Sequence, residues 1–501
     1  MECVFFIDEV SWLGMGRRLR RDARAGRAPA GYRPTVAALC GVQFVDVLGV
    51  TSAIVAIPAM LRGVSAPPAA TPLLATVYAM CFGGLLVLGA RLGDRYGHRR
   101  VLLTGTAGFA AAGLAGASAQ EVIQLVAARG LQGAAAAISV PSALRLLLDA
   151  APGEAERRGA LAAWSAAGAA AGALGLLAGG LLTDVLGWRS VFWVNLPVGI
   201  ALIAAIRLTV PPSVPERDRA PLDLAGAALL TGAVMALIVG AALAEEPRRR
   251  GLGGLLAAAG VGIAVAFAAR QRRARDPLVP RVAFASANLR TGAAVSFVNT
   301  ATTSSTGVLA TLLLQQRFGV SPVGAGFALV PFSLGVIAGS ALTGPLGRRL
   351  PVRRLAAAGL AGIAAGDLLL ALTYGSVAAI VAGVLLAGLG LGIASVAGTA
   401  IGTDVAESLG GTASGILNTG AQLGTALGVA ALLLLAAGVD APWPGTAVAW
   451  AVAAGLAGLT ALVVLVRGGT GAERPEAERG GAREDAGDAR PAVGAGRREA
   501  S

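Results

Sequence analysis

Apolar residues run along this chain in continuous stretches of about twenty, divided by short charged loops, and the pattern recurs fourteen times. The stretches are 35–61, 69–90, 100–118, 121–147, 160–183, 190–208, 222–243, 251–270, 290–314, 320–343, 355–374, 376–399, 411–437 and 445–466. As helices rising 1.5 Å per residue, each crosses about 30 Å of hydrocarbon. A barrel would need alternating segments of about ten residues, and these runs do not alternate. The pattern therefore predicts an all-α polytopic membrane protein with fourteen transmembrane helices.

Composition agrees and narrows the class. Of 501 residues, 55% are hydrophobic, 72 are glycine and 14% are charged, against roughly a quarter charged in soluble domains. That excludes an ordinary soluble enzyme. The 41 basic and 28 acidic residues leave a net +13, and every basic residue is arginine. The arginines sit in loops that flank the spans, concentrated on the side of the N-terminus, rather than in one patch. They are read as topology with both termini cytoplasmic, and not as a nucleic-acid surface. Cys40 and Cys81 lie inside apolar runs, so no disulfide framework is implied. The stretch Val4–Ile7 precedes the basic cluster Arg17–Arg27, the reverse of a secretory signal, so no cleavage is expected.

An internal repeat appears when two loops are set side by side. "ARLGDRYGHRR" begins at Ala90 and "GPLGRRLPVRR" at Gly344, so Leu92 and Gly93 align with Leu346 and Gly347, and Asp94 with Arg348. This register predicts a basic cytoplasmic segment (1–34), an N-terminal six-helix half (35–208), a linker with inserted helices 7 and 8 (209–289), a C-terminal six-helix half (290–466) and a disordered cytoplasmic tail (467–501). Parallel halves of this kind are a transporter arrangement, with the site near the midplane between them.

Several motifs resemble the major facilitator superfamily, and within it the fourteen-helix drug:proton antiporters. "RLGDRYGHRRVLL" from Arg91 is similar to that family's loop between helices 2 and 3, "LVAARGLQGAAAA" from Leu125 to its helix-4 signature, and "GAAAGALGLLAGGLLTD" from Gly168 to its helix-5 signature. "GWRSVFWVNLPVG" from Gly187, "LLLQQRFGVSPVGAGFALVP" from Leu312 and "GTASGILNTGAQLGTALGVA" from Gly411 resemble further family segments. The resemblance implies a major facilitator fold and a conformational loop of Asp94, Arg95, Gly97 and Arg99, in which Asp and Arg clasp helix ends. It also links Arg129 to proton transfer. Two departures stand out: Leu176 occupies the usual helix-5 proline, and "LGVTSAIVAIP" from Leu48 puts Gly49 and Ile54 where the family has Asp and Asn.

The residues themselves point to chemistry. An arginine inside a span costs on the order of 3 kcal/mol, so Arg129 either faces a partner or wet cavity, or snorkels to the nearby interface. Asp46, one turn before Gly49, is either a proton-loading carboxyl or a polar residue at the cavity mouth. Gly168, Gly172, Gly175, Gly179 and Gly180 allow close helix contact. Gln43, Gln132, Asn299, Thr303, Asn418 and Gln422 are candidate cavity residues, although each can equally bond a neighbouring helix. Asp367 sits mid-span and must be protonated, paired or turned to a neighbour. His98, the only histidine, reads as an interfacial contact. No metal-ligand cluster and no Walker loop occurs, so no cofactor is expected; the resemblance implies a proton gradient as the energy source.

The expected function is secondary active transport, with proton-coupled export of drugs or small amphiphiles by alternating access. A facilitator-type importer or uniporter, or a transporter-derived sensor, are the alternatives. The expected surroundings are a small-molecule substrate and the plasma-membrane bilayer, with no nucleic acid and no obligate protein partner. The chain is not expected to be an enzyme.

Overall fold

The computed structural model describes residues 32–212, 223–244, 247–274, 285–405, 410–438 and 442–469. The basic N-terminal cluster, almost all of the tail and the linker stretches 213–222, 245–246 and 275–284 lie outside the described residues. Fourteen long helices follow in order: α1 (Tyr32–Gly63), α2 (Thr71–Tyr96), α3 (His98–Ala117), α4 (Val122–Ala150), α5 (Glu154–Leu186), α6 (Asn195–Thr209), α7 (Leu224–Ala244), α8 (Arg250–Arg273), α9 (Ala287–Leu312), α10 (Pro322–Gly347), α11 (Val352–Thr373), α12 (Val377–Gly402), α13 (Gly410–Ala437) and α14 (Pro442–Gly469). No strand occurs among the described residues.

Hydropathy misplaces some helix ends because charged residues extend a helix beyond the bilayer without breaking it. The sequence reads residues 91–99 as a loop, yet α2 carries Arg91, Asp94 and Arg95 in its last turns and stops at Gly97, whose φ of 91° few other residues adopt. The sixth span is a short turn, Ser190–Trp193, followed by α6. Pro197 has no N–H to give the Trp193 carbonyl, so the helix is interrupted there.

Helix α9 is too polar to register as a span by mean hydropathy, unlike the other thirteen. Its 26 residues are long enough, and its hydroxyls are absorbed by its own backbone. Thr302 donates to the Val298 carbonyl (3.0 Å), Thr303 to Asn299 (2.6 Å) and Ser305 to Ala301 (2.6 Å). Ser286 caps its start by accepting from the Leu289 N–H.

In the N-terminal half α1 packs on α5, and α4 on both α2 and α3; in the C-terminal half α9 packs on α13, and α12 on both α10 and α11. The halves meet along two seams, α5 with α10 and α2 with α13. The loop repeat pairs α2 with α10 and α5 with α13, so one interface is used twice about a pseudo-two-fold axis. Helix α7 lies over the α2–α13 seam, and α8 packs on α7. Asp223 and Arg270 tie the feet of these two helices at 2.7 Å.

Candidate functional site

The N-terminal half buries its charge around one tyrosine. The Tyr78 hydroxyl on α2 donates to Asp46 Oδ1 on α1. The Arg129 guanidinium of α4 lies over the face of the same ring, 4.8 Å from its centroid. Arg129 is 3% exposed and donates from Nη1 to the Gly49 carbonyl and to Gln132 Oε1, both at 3.4 Å. It therefore does not snorkel; its partners lie inside the bundle. The position where the resembled antiporters carry Asp is Gly49, and here Arg129 reaches that residue's carbonyl while Asp46 supplies the carboxyl one turn away. Sequence reasoning missed Tyr78; the available signal was a polar-tipped aromatic in an apolar span.

Asp46 and Tyr78 open on a cavity of about 220 Å³ between the halves. Val47, Val50, Ile54 and Phe82 make its walls apolar on one side, and Ser304, Gln422 and Thr425 come from α9 and α13 on the other. Ser304 and Thr425 hydroxyls meet across the two helices at 3.1 Å. Gly83 on α2 lets Gln422 approach, since any Cβ there would meet the Gln422 side chain. Of the six candidate cavity residues, Gln422 lines this space and Gln132 serves Arg129. Gln43 packs over Gly168. Asn299 donates to Ser395 on α12 (3.3 Å), Thr303 bonds its own helix, and Asn418 is exposed outside this cavity. Thr425 is a polar lining residue that the sequence did not single out.

The α5 glycines divide between two partners. Gly168, Gly175 and Gly179 face α1, where a Cβ on Gly179 would stand 2.5 Å from the Ser52 Cα. Gly172 and Gly180 face α10, and a Cβ on Gly180 would lie 2.6 Å from the Pro322 carbonyl oxygen. Leu176, between them on the same row, is buried against α10, whose Gly326 admits its carbonyl. Without the proline, α5 runs unbroken from Glu154 to Leu186. At the end of the bundle away from Tyr32, two bonds join the halves. Asp184 at the foot of α5 accepts from the Val323 N–H in the first turn of α10 (3.1 Å), and Gln315 in the π-helical turn after α9 donates to the Val55 carbonyl (2.8 Å).

At the opposite end, the motif loop is held by its histidine. His98 Nε2 meets Asp94 Oδ1 at 3.1 Å, and Nδ1 lies 3.4 Å from Ser142 Oγ on α4. Gly93 makes room for the ring. Arg99 donates to the Arg207 carbonyl at the end of α6 (2.8 Å), and Arg95 covers the Tyr96 ring at 5.7 Å. Of the residues expected to form the clasp, Asp94 is held by His98, Arg99 by the end of α6, and Arg95 lies on Tyr96.

The C-terminal half carries one deeply buried acid. Asp367 on α11 is fully enclosed, and Thr306 on α9 donates to its Oδ1 at 2.6 Å. Its Oδ2 has no hydrogen-bond partner among the described residues. No group of three or more metal-ligating side chains occurs among the described residues.

The family model for the Major Facilitator Superfamily matches residues 39–224 and 292–498, leaving α7 and α8 between its two parts. A probable actinorhodin transporter of Streptomyces coelicolor is 33% identical over 81% of this chain and 73% of its own length. A puromycin resistance protein of Streptomyces alboniger is 34% identical over 81% and 82%. A cephamycin export protein of Amycolatopsis lactamdurans is 32% identical over 83% and 87%. Among solved structures, the peptide-transporter-family protein PepTSo superposes with a TM-score of 0.64 at 15% identity, over 87% of this chain and 98% of that one. The human organic anion transporter MFSD10 gives 0.59 at 18%, over 87% and 100%. At those identities the superpositions speak for the fold alone. With both halves matched and its relatives' identity spread over four fifths of its length, this chain belongs to the Major Facilitator Superfamily of multi-pass membrane transporters.

Proposed function

We propose that this protein is a proton-coupled exporter of antibiotic-like amphiphiles, working by alternating access in the plasma membrane with both termini in the cytoplasm. The observation that carries the reading is the Asp46–Tyr78–Arg129 cluster at the wall of the cavity between the halves. The names of the curated relatives, which include an actinorhodin transporter and a cephamycin export protein, support antibiotic-like cargo. The arginine distribution supports the sidedness. On that sidedness the Asp184–Val323 and Gln315–Val55 bonds seal the outer end, and the cavity belongs to an inward-facing state.

The mechanism follows from charge balance. With Asp46 ionised, Arg129 supplies the opposing charge through a site shielded from water. With Asp46 protonated, the face of the Tyr78 ring, the Gly49 carbonyl and Gln132 Oε1 remain to hold Arg129 in place. Changing the charge on α1 therefore alters the tie between α1, α2 and α4, while α1 also lines the cavity and bonds α9 through Val55. One proton moving down 100 mV supplies about 2.3 kcal/mol, enough for a roughly forty-fold substrate gradient. Apolar walls with a glutamine and a hydroxyl pair suit a flat amphiphile with a few polar groups. The reading needs no cofactor, no nucleic acid and no obligate protein partner.

The test is uptake of puromycin, ethidium and rhodamine 6G into inverted vesicles under an imposed pH gradient. Wild type should accumulate at least one of the three, and both Asp46→Asn and Arg129→Ala should lose accumulation. Equal transport with and without the gradient, unaffected by Asp46→Asn, would overturn the proposal.

A further inference from the structure

Behind Asp46, on the side away from the central cavity, lies a second and much smaller space. It measures about 20 Å³, the room of a single water molecule, and is enclosed by α1, α3, α4 and α6. Val42, Phe109 and Leu202 make it mostly apolar, and three polar groups face it: Asp46, Thr106 and Ser139. Both hydroxyls donate to their own helices, Thr106 to the Leu102 carbonyl (2.9 Å) and Ser139 to Ala135 (3.0 Å). Their lone pairs are therefore left to accept. A water there donates to the two hydroxyl oxygens and accepts from the protonated Asp46 carboxyl, which meets the two-to-four partners a buried water requires.

The same helix face continues to the end of the bundle where α2 meets α3. Ser142 follows Ser139 at i+3, a spacing that brings Cβ atoms within about 5–6 Å, and it is completely buried. Its hydroxyl lies 3.4 Å from His98 Nδ1, and His98 Nε2 lies 3.1 Å from Asp94. The His98 side chain is 12% exposed and that of Asp94 44%, so the series ends at solvent. The titratable groups facing its inner end are Tyr78 and Arg129, and Asp94 faces its outer end.

We propose that Asp46, one buried water, Ser139, Ser142, His98 and Asp94 form a proton path through the N-terminal half, separate from the substrate cavity. It rests on the proton-coupled reading above and adds where the proton leaves. The Asp46 carboxyl gives its proton to the water and the water gives one to Ser139; the Ser139 hydroxyl, which rests on the Ala135 carbonyl, turns to pass its own proton to Ser142, whose hydroxyl releases one to His98. His98, in the tautomer with Nε2–H toward Asp94, takes a proton at Nδ1 and releases the other from Nε2 to the exposed end. The net change is one ionised carboxyl and one proton delivered to solvent, with no oxidant or co-reactant. Proton exit and substrate binding then use opposite sides of Asp46, so an occupied cavity does not block proton release.

Full-length Ser139→Ala, Ser142→Ala, His98→Gln and His98→Ala are compared in inverted vesicles, using whichever of the three dyes wild type transports fastest. Loss of a relay group should slow gradient-driven uptake about tenfold or more. Counterflow without a gradient should stay within about twofold of wild type in the two serine variants, because Ser139 and Ser142 do not line the central cavity. Imidazole in the bath should restore His98→Ala in part while pyrazole, of the same size but not basic near neutral pH, should not, which separates proton transfer from packing. If Asp46→Asn stops gradient-driven uptake while Ser142→Ala and His98→Gln run at the wild-type rate, the path is overturned and proton coupling stands. Equal slowing of counterflow and gradient-driven uptake also overturns it. If Asp46→Asn itself runs at the wild-type rate, the coupling reading has failed and the path falls with it.

Discussion

The N-terminal half sets a buried carboxyl beside a buried guanidinium, whereas the C-terminal half sets a buried carboxyl beside a single hydroxyl. Asp46 and Arg129 share Tyr78, and Asp46 and Tyr78 lie at a cavity wall; Asp367 is closed in by α9 and its neighbours, with Thr306 as its one hydrogen-bond donor among the described residues. Both halves share a loop sequence and a helix order, so the difference lies in side chains and not in architecture. A carboxyl with an opposing charge and a way to water can change protonation during a cycle. One without either is held in a fixed role.

Five variants test that contrast and the packing around it, from the largest effect to the smallest. Arg129→Ala leaves the Asp46 carboxyl buried without its opposing charge, and removing one partner of such a pair costs about 3–5 kcal/mol. A lowered unfolding midpoint in detergent, partly recovered by the double variant with Asp46→Asn, is the expected result. Gly179→Ala forces a Cβ to 2.5 Å from the Ser52 Cα, so α1 and α5 must part at a cost of about 1–3 kcal/mol. Gly172→Ala, whose Cβ would sit 3.7 Å from Ser333 Oγ, should be tolerated in the same thermal assay.

Asp367→Asn keeps an acceptor for Thr306 and should change stability by less than about 1 kcal/mol. Gradient-driven dye transport should survive it, in contrast to Asp46→Asn; loss of transport in both would erase the distinction between the halves. The smallest effect concerns the inserted pair. Burial pushes the Asp223 carboxyl up, but hydrogen bonds from Arg270 and the Gly226 N–H outweigh this and hold it below the usual carboxylate range. Its contribution is therefore present above that range and lost as pH falls through the lowered value. Hydrogen-exchange protection at the start of α7 should fall in acid and in Arg270→Ala at neutral pH, and Arg270→Ala should leave protection around Asp46 unchanged.

Particular residues show how far the sequence could be read. Arg129, Asp46 and the α5 glycines stand out because each is costly or unusual inside an apolar run, and cost is a local property. Gln43, Asn299 and Asn418 looked equivalent to Gln422, since an amide on a helix can face a cavity, a neighbouring helix or solvent. Their faces depend on how helices rotate against one another. Tyr78 and Ser142 were hidden for the same reason: a tyrosine or serine in a span carries no signal until its partner, 32 or 44 residues away, is brought beside it.

Chain length, fourteen apolar runs, arginine placement and the repeated loop determined by themselves that this is a two-half helical membrane transporter. Each of those follows from the cost of polar groups in hydrocarbon, which is counted residue by residue. The tertiary structure decided which acid meets the cavity, that Arg129 turns inward, that α9 spans despite its polarity, and that His98 connects Asp94 to Ser142. Those depend on contacts between helices distant in sequence, and no local pattern encodes the rotation that brings them together.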